Sequence, residues 1–162
     1  MLILGIDPGL TKTNPLGLAL VDTDTMKLVA HWAVEPESKG WQTSLEQISE
    51  TLYAIGRDYF PDAVAFEAPH VAVNPRTAIK LAYIGGIAVS YASDFDSPWA
   101  EVSPTQAKVA LAGKGSADKR AMQLAAKNIF NVDLDKDSAD AVGIALAGEA
   151  IIRKRLAVEA AS

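Results

Sequence analysis

Leu2-Ile3-Leu4-Gly5-Ile6 is apolar throughout, as a central strand buried on both faces is. Asp7-Pro8-Gly9 ends that run in a turn. Leu16 to Val21 reads as a second strand and Lys27 to Val34 as a third, joined by a tight turn at Asp22-Thr23-Asp24. Short connections predict an antiparallel meander. From Trp41 to Tyr59 the period changes, and Leu45, Ile48, Leu52 and Ile55 share one helical face. After Pro61-Asp62, Ala63 to Phe66 predicts a fourth strand that ends at Glu67. Thr77 to Ser93 predicts an apolar helix carrying Gly85-Gly86, and Trp99 to Val102 a fifth strand.

Ser103-Pro104 starts another helix, with serine as cap and proline at the first position. Ser116 is placed to cap the next, running to about Ile129, and Asp137 or Ser138 to open the last, running to about Leu156. The expected fold class is α/β: a mixed five-stranded sheet, three strands in an antiparallel meander and the others parallel, flanked by helices. The expected organisation is one domain over residues 1–162, with a core to 157 and a short tail at 158–162.

The chain has 162 residues, 49% of them hydrophobic and none of them cysteine. Disulfides, thiolate zinc sites and cysteine nucleophiles are excluded. His31 and His70 are far apart in sequence, so metal chemistry would rest on carboxylate oxygens and favour hard cations. No apolar run reaches the roughly 18 residues of a membrane span, and no basic stretch precedes the N-terminal apolar run. A cytoplasmic protein without membrane contact is expected. The net charge of −5 is unevenly spread, with −6 over residues 1–75 but +3 over residues 76–127. Arg76, Lys80, Lys108, Lys114, Lys119, Arg120 and Lys127 supply that excess. A basic face for nucleic acid and an ordinary solvated surface fit it equally well.

Asp7 and Glu67 each close an apolar strand, where chemistry gathers in open α/β sheets. Asp137 and Asp140 stand three apart at a helix start and share a face. Singly, each has a plainer reading: a turn, a solvated strand end, or a capping box with Asp137 as cap. Jointly they form a four-carboxylate cluster whose mutual repulsion calls for cations. Two divalent ions would make it a phosphoryl-transfer site, with Asp7, on the central strand, as the bridging ligand.

Five segments occur in order. They are Ile3-Leu4-Gly5-Ile6-Asp7-Pro8-Gly9, Phe66-Glu67, Asn74 with Thr77-Ala78-Ile79-Lys80-Leu81, Gly113-Lys114-Gly115-Ser116-Ala117-Asp118-Lys119, and Asp137-Ser138-Ala139-Asp140-Ala141. Together they resemble the RuvC family of Holliday-junction resolvases, nucleases of the RNase H-like superfamily. The resemblance implies a homodimeric, magnesium-dependent endonuclease, with manganese able to substitute, that nicks four-way DNA junctions symmetrically. It implies catalytic and metal-binding roles for Asp7, Glu67, Asp137 and Asp140, and places Lys108 and Lys119 near the scissile phosphate. Lys119 would neutralise charge developing there. Lys114, Arg76, Lys80 and Arg120 are the further DNA-contact candidates. The apolar helix Thr77–Ser93 is the expected dimer contact, and any branch-migration helicase partner is left unspecified.

The chain also departs from the family's pattern. Lys12-Thr13-Asn14-Pro15 adds a residue, and His70 stands where an aromatic ring is usual for stacking on junction bases. Only Arg153-Lys154-Arg155 remains of a basic tail. These departures fit a divergent member, phage-encoded ones included, with broader branched-DNA cleavage as the alternative. Two other readings compete: a kinase-like or actin-like ATPase half-domain, disfavoured by length, and a non-catalytic branched-DNA-binding module, disfavoured by the four carboxylates.

Overall fold

The computed structural model describes residues 1–36, 40–69 and 75–162. His70 and Asn74 lie outside the described residues. The strands are β1 (Leu2–Asp7), β2 (Leu16–Asp22), β3 (Lys27–Val34), β4 (Ala63–Glu67) and β5 (Trp99–Val102). The helices are α1 (Trp41–Tyr59), α2 (Pro75–Asp94), α3 (Pro104–Ala112), α4 (Lys119–Phe130) and α5 (Lys136–Ala160). They build one sheet in the order β3-β2-β1-β4-β5, with β1 at its centre. β1 pairs antiparallel with β2 and parallel with β4, and β5 runs parallel to β4. The expected mixed sheet is therefore present.

Strand alternation divides the core into two unequal layers. Leu4, Ile6, Leu16, Leu18, Leu20 and Phe66 pack with Ile48, Leu52, Ile84 and Tyr91 of α1 and α2. The opposite face carries Ile3, Ala19, Ala63, Ala65 and Ala100 and meets α5. This second face is built from small residues, so the α5 backbone lies almost on the sheet. A Cβ at Gly5 would stand 2.1 Å from the Ala141 carbonyl oxygen. One at Gly17, the β2 partner of Asp7, would stand 2.3 Å from the Asp137 carbonyl oxygen.

Several helix ends differ from the sequence expectation. α5 is capped by Asp135 rather than Asp137: its carboxylate accepts from the Asp137 and Ser138 N–H groups at 3.0 and 2.9 Å and from the Ser138 hydroxyl at 2.6 Å. Asp118, not Ser116, caps α4 by accepting from the Ala121 N–H at 2.8 Å. α2 begins at Pro75, where proline suits a first helical position. Residues 158–160, expected as tail, continue α5, because Leu156-Ala157-Val158-Glu159-Ala160 holds nothing that breaks a helix. The capping box at Ser103 and Gln106 forms as expected. α2 is not apolar toward two partners alike: Ile84, Ala88 and Tyr91 are buried within the chain, while Ile79 and Tyr83 are 57% and 49% exposed.

Gly5→Ala should force α5 off the sheet. Overpacking of this kind costs about 1–3 kcal/mol or more, which for a chain of this size lowers Tm by roughly 3–10 °C. Calorimetry checks this, and an unchanged Tm would mean that the close approach is not tight.

Candidate active site

The same alternation that buries Ile3 and Ala63 toward α5 turns Asp7 and Glu67 to that face, since both lie an even number of residues further along. Ile6 pairs with Phe66 in the parallel register. One further step brings Asp7 beside Glu67 at the carboxyl ends of neighbouring strands, about 4.8 Å apart in backbone. Gly17 then admits the first turn of α5 against the end of β1. Asp137 and Asp140 ride on that turn, three residues apart and on one side of the helix.

Each carboxylate is perturbed in the direction such crowding dictates. Burial raises the Asp7 pKa well above the usual carboxylate range, and the charges of Glu67, Asp140 and Asp137 raise it further. Burial, then the charge of Asp140, lifts Glu67 to about 7 against the pull of Lys108 and Lys119. Asp140 is raised by burial, with Lys119 opposing and Asp137 adding. Asp137 is raised by burial, with Lys136 and Lys119 opposing.

The cations that answer this negative charge come from neighbouring helices. The Lys119 ammonium lies 3.9 Å from both Asp137 Oδ1 and Asp140 Oδ2. Lys108 on α3 acts on Glu67 and Asp140. Among the described residues Asp137 Oδ1 is buried without a hydrogen-bond partner. That oxygen, and an all-oxygen donor set, suit a hard divalent cation. Among the described residues, no three such side chains are already arranged around one point to hold an ion. The fit rests on donor chemistry and the orphaned oxygen.

The structure brings six of the expected residues together: Asp7, Glu67, Asp137, Asp140, Lys108 and Lys119. Lys114, in the turn between α3 and α4, and Arg120, on α4, are exposed beyond them. Arg76 and Lys80 belong to α2, on the opposite layer. Lys80 lies 5.7 Å over the Trp41 ring. Three positioning residues escaped the sequence reading. Asp135 caps α5, Lys136 donates to the Thr13 carbonyl at 2.8 Å and ties the loop after β1 to α5, and Gly17 admits the helix. A cap residue two places before Asp137 was the visible signal for the first.

The sequence model of the family described as crossover junction endodeoxyribonuclease RuvC matches residues 3–148. The chain belongs to the RuvC family. It is similar to the RuvC crossover junction endodeoxyribonuclease of Chlamydia caviae, with 36% identity over 154 residues and 90% of each chain covered. It is also similar to the solved Thermus thermophilus RuvC, at 26% identity and a TM-score of 0.77 over 97% of both chains. The T. thermophilus RuvC in complex with Holliday junction substrate gives a TM-score of 0.79 at 26% identity, over 97% of this chain and 96% of that one. The RNase H-like expectation for the RuvC fold agrees with these matches. Among the described residues no helix is long and apolar enough to cross a membrane.

The raised carboxylates set the pH dependence of the metal-free protein. Glu67 has its ordinary value of 4.5 when unfolded and about 7 when folded. Below pH 4.5 both states hold the proton; as pH rises toward 7 the unfolded chain releases it first, so folded stability falls. Asp7 acts in the same direction. Without divalent cations, Asp7→Asn should therefore melt several degrees above wild type at pH 8, with the gap narrowing at pH 5. Equal melting at pH 8 would mean that the carboxylates are not crowded.

Proposed function

We propose that this protein is a structure-selective endonuclease that resolves four-way DNA junctions by paired symmetric nicks. The observation that carries the reading is the gathering of Asp7, Glu67, Asp137 and Asp140 beside Lys108 and Lys119. Likeness along nearly the whole chain to a RuvC bound to Holliday junction substrate supports it.

The four carboxylates would hold the divalent cations, two magnesium ions with manganese able to replace them. When bound, such a pair activates water and stabilises the leaving 3′-oxygen. Asp7 feels all three other carboxylates and is the ligand best placed to be shared. Glu67, Asp137 and Asp140 complete the set. Lys119 holds positive charge beside Asp137 and Asp140, where negative charge grows on a phosphate in flight. Lys108 on α3, Lys114 in the turn after it and Arg120 on α4 would take DNA phosphates, with Arg76 and Lys80 on α2 as the second group. His70 keeps its sequence-based role as a base contact.

Paired nicks need two sites at a fixed spacing, which an isologous dimer supplies. The outward stripe of α2, with exposed Ile79, Ala82 and Gly86, is the surface for it. A Cβ at Gly86 meets nothing within 4 Å. Ile84, buried in the chain's own core, would be a poor probe of that contact.

Nicking and gel-shift assays on one four-way junction test the reading. Asp7→Asn should lose nicking while keeping junction binding, because phosphate contacts come from the lysines and arginines. Gly86→Arg should give a monomer that nicks singly. Nicking by Asp7→Asn in magnesium would overturn the metal-site assignment.

A further inference from the structure

The segment Lys12-Thr13-Asn14-Pro15, which adds a residue to the family's pattern, has no task in the chemistry above. It closes a small hairpin. The Thr11 N–H donates to the Asn14 carbonyl at 3.1 Å and the Asn14 N–H to the Thr11 carbonyl at 3.0 Å. Thr11 Oγ1 accepts from the same Asn14 N–H at 3.0 Å. Lys12 and Thr13 are the two-residue tip, and both are exposed. The favoured two-residue hairpin turns pass through positive φ. Neither Lys12 nor Thr13 does so, so the tip depends on its surroundings. Its return arm lies on Gly9, where a Cβ would stand 2.1 Å from the Pro15 carbonyl oxygen and 2.3 Å from that of Asn14. Its tip is met by the Lys136 ammonium, which donates to the Thr13 carbonyl at 2.8 Å.

That last bond places the hairpin. Lys136 directly precedes Asp137 at the start of α5. Burial raises the pKa of both Asp137 and Asp140, and the charge of Lys136 opposes the rise in both. The ammonium, and the Thr13 carbonyl it holds, therefore stand at the rim of the carboxylate site. Lys12 is the next residue along the tip. A DNA strand with one phosphate at the carboxylates must leave over such a rim. There an exposed ammonium on a fixed turn takes a phosphate as a point charge.

We propose that the Thr11–Asn14 hairpin is a strand guide, in which Lys12 takes a phosphate of the DNA strand beside the one being cut and Lys136 is the positioning residue that latches the tip to α5. The proposal rests on the junction-cleaving function above. It gives the added residue a purpose: the longer loop brings a carbonyl within reach of α5 and a cation to the rim. Lys136 acts through the hairpin and makes no DNA contact of its own.

The test is a double-mutant cycle on the full-length protein. Binding to one four-way junction is measured over a range of salt in EDTA, and single-turnover nicking in magnesium. Lys12→Ala should lower the salt slope by about one phosphate. It should raise the enzyme concentration needed for half-maximal nicking and keep the saturated rate. Lys136→Met should lower the slope by about one as well, because a released tip no longer presents Lys12. Lys136→Arg, which can still donate to the carbonyl, should restore the wild-type slope. The double variant Lys12→Ala/Lys136→Met should lose about one phosphate in all. A loss of two would mean that Lys136 contacts DNA independently, and the latch would be overturned. A wild-type slope in Lys12→Ala, with normal nicking by the wild type, would overturn the strand guide and leave the junction-cleaving function standing. Failure of the wild type to bind or nick four-way junctions would remove the functional reading itself, and the proposal with it.

Discussion

The site depends on how closely α5 lies against β1 and β2. Two glycines set that distance: a side chain at Gly5 would strike the Ala141 carbonyl, and one at Gly17 the Asp137 carbonyl. Glycine costs backbone entropy in a strand, and the return is the placing of a helix start over a strand end. Without it, Asp137 and Asp140 would not meet Asp7 and Glu67. The remainder of that face follows the same rule. Ala19, Ala65 and Ala100 lie under α5, whose own surface there includes Ala141, Ala145 and Gly148. The bulky residues that give the core its volume are on the other layer, against α1 and α2.

Such closeness has an electrostatic consequence. Carboxylates gathered in a partly buried place raise one another's pKa, and the two nearby lysines offset only part of the repulsion. Stability is given up locally for a site ready to take positive charge, the trade expected where function and folding compete. Lys119 shows the balance: its ammonium is near enough to Asp137 and Asp140 to attract both, at 3.9 Å, but not to form a short hydrogen bond with either.

Much of this was legible in the residues. Period-two and continuous apolar runs give the strands, and a carboxylate directly after such a run, as at Asp7 and Glu67, points to a strand-end site. The helix starts were less legible. Asp133, Asp135, Asp137 and Ser138 are all plausible caps, and only geometry shows that Asp135 reaches two N–H groups and a hydroxyl. Ser116 and Asp118 pose the same choice. Nor could α2 be divided into faces from a pattern that is apolar nearly all round; packing sends Ile84 and Tyr91 inward and leaves Ile79 and Tyr83 outside. The work done by Gly5 and Gly17 depends on which helix crosses them, which is a property of the tertiary arrangement. The Trp41–Tyr83 pair joins residues 42 places apart and has no local signal.

Anomalous diffraction from crystals grown with manganese tests the central claim most directly. The account predicts metal density between the Asp7, Glu67, Asp137 and Asp140 carboxylates, with Asp7 shared between ions and α5 in its close position over Gly5 and Gly17. Manganese bound elsewhere, or an α5 start standing away from the end of β1, would contradict it.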